Sequence, residues 1–340
     1  MATIHFLNVL EGDCNIIQHE SGRLTMIDVS NAYNDIDTEE EKKVKASKER
    51  EERRLRTQVP NGKVDYKQKQ TPDNPILYLK DRIKPSEIFR FIITHPDMDH
   101  IDGIKDLYDE FLVRNTWDTD NKKELDLNNF GGGYNKDDWK FYKDLRDGKN
   151  KDTKRLTYYD TDDCLYWNQD NIKILAPSKE LLAGAIKSGD YNDSSYVILF
   201  TPPKKNGGKW KIIFGGDTHD ASWEHIIEEY SEEVKNIDVL FAPHHGRDSE
   251  RDYSFLDILK PRVTLFGNAS SEHLAYDKYP KPKITNNQAG YVVLDVTTTE
   301  ITFYVKNLEF AKNYKAKKGW SQPVKNSKFD ALGLFKIDAK

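Results

Sequence analysis

Short apolar segments of strand-like composition recur along most of the chain, and helical segments lie between them. The strand-like segments end in turn-forming residues, whereas the helical ones repeat apolar residues at helical spacing. Many strands with a few helices between them predict an α/β fold with helices packed outside the sheets. The predicted strands are 4–10, 23–30, 88–95, 172–177, 195–201, 209–217, 237–245, 262–269, 290–296 and 300–305, and the predicted helices are 103–112, 136–148, 179–189 and 222–235.

The stretch FIITHPDMDHIDG places two histidines and two aspartates directly after one predicted strand. A lone histidine or aspartate at a strand end is usually a satisfied polar residue or a helix cap. Four of them at this spacing fit the imidazole and carboxylate ligands of one or two divalent metal ions. We therefore predict a metal site whose ligands are His95, Asp97, Asp99 and His100.

Two further strand ends carry residues of the same ligand types. FGGDTHD places Asp217 after a buried strand, and FAPHHG places His244 and His245 after the next one. Because sites form where strand ends converge in α/β sheets, the three strand ends predict a single centre. Cys14 and Cys164 are far apart and form no CxxC pair, so a thiolate zinc site is not indicated.

Composition limits the classes of function. The formal net charge of −5 over 340 residues argues against a basic protein that wraps nucleic acid with its whole surface. No apolar run approaches the length of a transmembrane helix. The N-terminal residues MATIHFLNVLEGD lack the basic and long apolar regions of a signal peptide. These features predict a cytoplasmic protein with no membrane partner.

Two charged regions interrupt the strand pattern. Residues 31–80 contain an acidic block followed by a basic one, which predicts a charged, solvated helical insertion or a mobile excursion. Residues 306–340 interleave lysine with tyrosine and tryptophan, which predicts a docked C-terminal extension, with stacking on bases as the alternative. We assign residues 1–305 to one domain with insertions at 31–80 and 105–170. The first insertion is also a candidate surface for a protein partner or for homo-oligomer formation.

Taken together, the motifs resemble the metallo-β-lactamase superfamily, and specifically the soluble hydrolase domain of ComEC-type DNA-uptake proteins. The resemblance covers residues 4 to about 305 and keeps the family's order of motifs. It implies an αββα sandwich, two mixed sheets flanked by helices, with the site at one sheet edge. The matching stretches are NVLEGD (8–13), MIDVSN (26–31), HPDMDHIDG (95–103), NDSSYVIL (192–199), GGDT (215–218), HHGRDS (244–249) and SEHLAY (271–276).

The resemblance also implies two divalent metal ions, zinc or manganese with magnesium as a further option. They would supply a metal-activated hydroxide as the nucleophile. Asp99 would hold and orient that nucleophile, which makes it a catalytic candidate. The implied ligands are His95 and Asp97 for the first ion and Asp99, His100 and His245 for the second, with Asp217 bridging them.

Other residues fall where the family keeps groups that face the substrate. Ser249 and His273 are two of them, and His244 would lie behind the ligands or against the substrate. His273 is the catalytic candidate for a phosphate contact or a general acid, with an exposed structural histidine as the alternative.

The chain departs from the family pattern at the first metal ion. The histidine expected just before the strand 195–201 is missing, so Asp193 or Asn192 would have to complete the ligands; otherwise the first site is weak. The carboxylate of Asp97 in place of an imidazole also shifts the metal preference from zinc towards manganese or magnesium. The Gly-Gln pair of the uptake motif is Leu10–Glu11 here.

Three functions remain compatible with these residues. The first is a metal-dependent phosphodiesterase, a nuclease acting on DNA, which the ComEC resemblance and the basic segments at 42–69 and 311–328 favour. The second is a hydrolase of a small molecule, such as a cyclic nucleotide, a phosphoester or a lactone, which the acidic net charge favours. The third is a catalytically weak scaffold of the same fold, which the missing histidine favours.

Overall fold

The computed structural model describes residues 1–34, 66, 68–131, 133–269 and 274–340. Most of the insertion predicted at 31–80, most of the basic segment at 42–69, and His273 lie outside the described residues. The strands are β1 (Ala2–Phe6), β2 (Asn15–Gln18), β3 (Leu24–Ile27), β4 (Ile88–Ile92), β5 (Val113–Trp117), β6 (Lys154–Leu156), β7 (Ile172–Ala176), β8 (Val197–Phe200), β9 (Ile212–Phe214), β10 (Val239–Phe241), β11 (Val263–Phe266), β12 (Lys283–Thr285), β13 (Val292–Val296), β14 (Glu300–Val305), β15 (Lys325–Asn326) and β16 (Ala331–Asp338). The α-helices are α1 (Pro75–Tyr78), α2 (Ile104–Glu110), α3 (Lys136–Arg146), α4 (Leu165–Asp170), α5 (Lys179–Ser188), α6 (Asp220–Val234), α7 (Phe255–Leu259), α8 (Asn286–Ala289) and α9 (Leu308–Lys317).

The strands form two mixed sheets. The first is ten-stranded, in the order β15-β16-β14-β13-β1-β2-β3-β4-β5-β6, and its strands from β3 to β6 run parallel while the others pair antiparallel. The second is six-stranded, in the order β12-β11-β10-β9-β8-β7, and its strands from β9 to β12 run parallel. Each sheet therefore has a set of parallel strands whose carboxyl ends share one edge.

The main core lies between the two sheets. Side chains of the first sheet, such as Phe6 and Ile92, belong to the same buried cluster as Phe214 and Phe241 of the second. The rings of Phe6 and Phe241 meet edge to face at 5.1 Å, and those of Phe214 and Phe241 stack at 4.3 Å. Burial of each such side chain is worth roughly 1.5–3 kcal/mol, so the face-to-face packing of the sheets contributes strongly to stability.

Helices cover the outer faces of both sheets. On the first sheet, Ile104 of α2 and Tyr142 of α3 pack into a second buried cluster, and on the other sheet Trp223 of α6 stacks on Phe255 of α7 at 4.4 Å. The order of layers is therefore helix, sheet, sheet, helix. This confirms the predicted α/β class and the αββα sandwich with two mixed sheets.

The region predicted as a helical insertion, 105–170, contains most of α2, all of α3 and α4, and the strands β5 and β6. The residues after 306 form α9, β15 and β16, and β16 pairs with β14 along the first sheet. In the part of the chain that the structure describes, no helix has the length and apolar character needed to cross a membrane.

Candidate metal centre

The candidate ligands follow the carboxyl ends of parallel strands in both sheets. His95 comes just after β4, Asp217 follows β9 and His245 follows β10. A backbone hydrogen bond from Tyr196 N to Thr94 O, 3.0 Å long, joins the two sheets beside His95. The convergence of strand ends that the sequence predicts is thus built from β4 on one side and from β9 and β10 on the other.

Glycines allow the backbone to pass close to these ligands. Gly12 has a φ of +80°, and a Cβ at this position would lie 1.8 Å from the carbonyl oxygen of Asp99. Gly216, directly before Asp217, has a φ of +54°, and a Cβ there would lie 2.9 Å from the Ser195 side chain. Since only glycine fits such approaches without strain, these positions bring the loops that carry the ligands into contact.

Four of the predicted ligands form one group, here called the four-residue cluster, which consists of Asp99, His100, Asp217 and His245. Each offers one ligand atom, and these atoms all lie within 4.8 Å of one another. Asp217 Oδ2 is 3.3 Å from the Nε2 atoms of both His100 and His245, and Asp99 Oδ2 is 3.6 Å from His245 Nε2. Both Nε2 atoms are buried without a hydrogen-bond partner among the described residues. Two imidazole nitrogens and two carboxylates aimed at one point fit a divalent metal ion.

The far side of each histidine in the cluster faces a carboxylate. His100 Nδ1 lies 2.8 Å from Asp28 Oδ2, and Asp28 also accepts hydrogen bonds of 2.7 Å from the amide and hydroxyl of Thr94. His245 Nδ1 lies 3.2 Å from Asp13 Oδ1. A carboxylate behind a ligating histidine fixes which ring nitrogen carries the proton and directs the other towards the metal.

Burial and charge together set the protonation of the cluster. Burial opposes the charged forms, but the carboxylates of Asp217, Asp28 and Asp99 outweigh it and hold the pKa of His100 well above its ordinary value. In the same way burial disfavours the Asp217 carboxylate, yet the neighbouring histidines His100 and His245 hold its pKa well below its ordinary value. The carboxylates of the cluster are therefore ionised and attract positive charge. A divalent ion would compete with protons for the histidine nitrogens.

The Asp97 half of the centre, consisting of His95 and Asp97, has different surroundings. His95 Nε2 is buried without a hydrogen-bond partner in the described chain, 3.7 Å from Asp97 Oδ1 and 3.9 Å from Asp217 Oδ2. Asp97 is 37% exposed, and its Oδ1 is in contact with Lys123 Nζ. Neither residue of this half belongs to the four-residue cluster.

His244 lies at the edge of the centre. Its Nε2 is 3.7 Å from Asp217 Oδ2, and its Nδ1 lies 2.9 Å from Ser249 Oγ and 3.0 Å from His219 Nε2. Burial lowers the pKa of His244 to about 3, so its ring is neutral. His244 and His245 both have left-handed backbone angles, with φ of +51° and +55°, which is unusual for residues other than glycine and is common at functional sites.

Asp193 and Asn192 are not members of the four-residue cluster. Asp193 Oδ1 accepts hydrogen bonds from the His219 and Ser222 amides, at 3.0 and 3.2 Å, at the N-terminus of α6. This oxygen thus caps the N-terminal amides of α6. Asn192 begins the adjoining 3-10 turn, where its amide donates to Asp190 Oδ1 at 3.0 Å.

Sequence reasoning assigned no role to several residues that contact the ligands. Asp13 and Asp28 both lie inside quoted motifs, NVLEGD and MIDVSN, so the motifs themselves carried the signal. His219 lies inside FGGDTHD, two residues after Asp217, but no role was assigned to it, and Lys123 lies outside every predicted ligand motif. Contacts in the folded chain bring Lys123 to the centre and set His219 against His244.

No protein-family model and no curated protein matches the chain. Among solved structures, it is similar to a mutant of the CmlA beta-hydroxylase, at 12% identity and a TM-score of 0.44, over 87% of this chain and 54% of that one. The chain thus spans about half the length of that hydroxylase. It is also similar to Igni18, a metallo hydrolase from the hyperthermophilic archaeon Ignicoccus hospitalis KIN4/I, at 12% identity and a TM-score of 0.37, over 99% of this chain and 100% of that one.

A third similar structure is the metallo-β-lactamase SMB-1 bound to 2-mercaptoethanesulfonate, at 10% identity and a TM-score of 0.33, over 71% of this chain and 76% of that one. At these identities and scores, no residue role passes from those proteins to this chain. The chain's own layers and ligand geometry define its class: an αββα protein with a candidate divalent-metal centre between the ends of its two sheets.

Proposed function

We propose that this chain is a metal-dependent hydrolase of phosphodiesters, most specifically a nuclease acting on DNA. The four-residue cluster carries this proposal, because two carboxylates and two histidines converge at one point in a buried strand-end site. A divalent ion bound there would supply a Lewis acid and lower the pKa of a water molecule towards neutrality. The carboxylate-rich set favours manganese or magnesium alongside zinc.

The protein's own groups supply position and charge. Asp28 holds His100 through a 2.8 Å hydrogen bond, and Asp13 places a carboxylate 3.2 Å behind His245, so negative charge backs both rings. Asp99 is 25% exposed and therefore combines a ligand atom with access from solvent. It is the group best placed to orient an attacking water molecule beside the substrate.

The choice of substrate rests on the ordered motifs and on the basic side chains. The ComEC-type resemblance favours DNA, and Lys123 brings a cation to the edge of the centre. The net charge of −5 favours a small diester, such as a cyclic nucleotide, as the second candidate. Binding of DNA that weakens steeply with salt would support the first over the second.

The test is hydrolysis by the purified chain with Mn²⁺, Mg²⁺ or Zn²⁺ and a chelator control. The substrates are single- and double-stranded DNA and bis-p-nitrophenyl phosphate, and the variants are Asp99→Ala and, as the matched control, Asp109→Ala. Asp109 is an exposed residue of α2 that pairs with Lys105. We expect chelator-sensitive cleavage of DNA that Asp99→Ala loses and Asp109→Ala keeps.

Cleavage of the small diester without cleavage of DNA would move the assignment to a small-molecule phosphodiesterase. Equal turnover by wild type and Asp99→Ala would overturn the proposed centre. Failure to hydrolyse any of the substrates, with metal bound, would favour the scaffold of the same fold.

A further inference from the structure

Lys123 contacts Asp97 at the place where the resemblance puts the first metal ion. Its Nζ meets Asp97 Oδ1, the same oxygen that lies 3.7 Å from His95 Nε2. We propose that the Lys123 ammonium takes the place of that first cation, so that the centre holds one tightly bound metal ion beside one protein cation. This inference rests on the proposed function, because it assigns the charges of the same site.

The loop that carries Lys123 is held by buried groups. The Lys123 amide donates to Asn121 Oδ1 at 3.2 Å, and Asn121 Nδ2 donates to the Tyr142 hydroxyl at 2.6 Å. Tyr142, a buried residue of α3, donates in turn to Asp118 Oδ1 at 3.0 Å. The loop after β5 is therefore anchored to α3 through groups that are closed to solvent.

Arg146 fixes the same residue from the other side. Its Nη1 donates to the Lys123 carbonyl oxygen at 2.6 Å, and its Nη2 pairs with Glu124 Oε1 at 2.9 Å. The Arg146 side chain is only 8% exposed. The main chain of Lys123 is thus held at both its amide and its carbonyl, which fixes the point from which its side chain reaches Asp97.

The charges explain why this position suits a lysine. The carboxylates of the four-residue cluster, Asp99 and Asp217, remain for one metal ion, while Asp97 lies outside that cluster and is neutralised by Lys123. An ammonium and a second divalent ion would compete for Asp97 and repel each other. The ammonium has three N–H donors, and those not used by Asp97 can bind an oxygen of an anionic substrate.

The experiment is a Mn²⁺ titration of the full chain by equilibrium dialysis, followed by electron paramagnetic resonance. The variants are Lys123→Ala, Lys123→Arg and, as the matched control, Lys122→Ala, since Lys122 pairs with the exposed Asp120. We expect one tightly bound ion per chain in the wild type, in Lys123→Arg and in Lys122→Ala. In Lys123→Ala, a second ion should bind at least tenfold more tightly than in the wild type and give the signal of a coupled manganese pair.

Hydrolysis gives a second measurement. At one equivalent of Mn²⁺, Lys123→Ala should be less active than the wild type, and excess Mn²⁺ should restore its activity. Two tightly bound ions in the wild type, or no tighter second ion in Lys123→Ala, would overturn this inference and leave the proposed function standing. A wild type that binds no Mn²⁺ and hydrolyses no diester would overturn the proposed function itself.

Discussion

The four-residue cluster and the Asp97 half both take ligands from one short stretch of sequence, yet their surroundings differ. In the cluster, His100 and His245 each have a carboxylate behind the ring, at 2.8 and 3.2 Å. In the Asp97 half, His95 Nδ1 lies 3.1 Å from the Thr94 hydroxyl, and Asp97 is paired with Lys123. Ligand candidates only two residues apart in sequence, Asp97 and Asp99, therefore differ in how well their surroundings suit a metal ion.

The difference shows that support around a ligand decides its role as much as its residue type does. A carboxylate behind a histidine raises its basicity and fixes its direction, whereas an ammonium on a carboxylate offsets the charge that would attract a metal ion. We therefore expect the cluster to bind metal tightly and the Asp97 half to contribute mainly through Lys123.

The largest effect is expected from Asp217→Asn, because Asp217 Oδ2 lies 3.3 Å from both histidines of the cluster. Metal affinity should fall by more than the roughly 100-fold cost of losing a partner behind a ligand. Mn²⁺ at about 100 times its Kd should raise the free energy of unfolding of the wild type by about 2.7 kcal/mol. The same concentration should leave the free energy of unfolding of Asp217→Asn unchanged. Denaturation with and without Mn²⁺ measures this. An equal gain in both proteins would place the tight ion elsewhere.

A smaller loss of affinity is expected from Asp28→Asn, which keeps the shape behind His100 but removes the charge. We expect metal affinity to fall by about 10–100-fold, measured by dialysis against graded Mn²⁺ concentrations. Asp109→Asn, an exposed aspartate on α2, serves as the control. Unchanged affinity in Asp28→Asn would mean that the carboxylate does not orient the ligand.

Asp97→Asn should separate the two halves directly. The tight ion should remain, because Asp97 lies outside the four-residue cluster. Hydrolysis should fall about tenfold, equivalent to about 1.4 kcal/mol, because Lys123 loses its charged partner. Elemental analysis measures the bound metal, and the rate of diester cleavage measures the loss of activity. Loss of the tight ion would instead place Asp97 among its ligands.

The smallest effect on metal is expected from Asp193→Ala, which tests a ligand candidate that the structure places on a helix end. Metal content should stay at the wild-type level, while the unfolding free energy should fall by about 1 kcal/mol through loss of the cap on α6. Urea denaturation and elemental analysis check the two halves of this prediction. Reduced metal content with unchanged stability would instead identify Asp193 as a ligand.

Much of the fold was accessible from sequence because it depends on local pattern. Alternation in EITFYV predicted a strand, and β14 indeed buries Ile301, Phe303 and Val305 at every second position. The members of the four-residue cluster were all among the predicted ligands, since each follows a strand whose apolar run is evident. Asp193 was proposed as a ligand because it lies just before the strand 195–201, where a histidine was expected, whereas its hydrogen bonds to the first amides of α6 depend on the packing of that helix.

The sequence by itself determined the layered α/β class and the ligand types, because hydrophobic period and residue chemistry are written into short stretches of chain. Only the tertiary structure decided which ligands share a point and what lies behind them. His100 and Asp28, or Asp97 and Lys123, are 72 and 26 residues apart and meet only when the strands and the loop after β5 are packed. The groups that contact a ligand from behind come from segments that are remote in sequence, and no local sequence pattern encodes the distance between such segments.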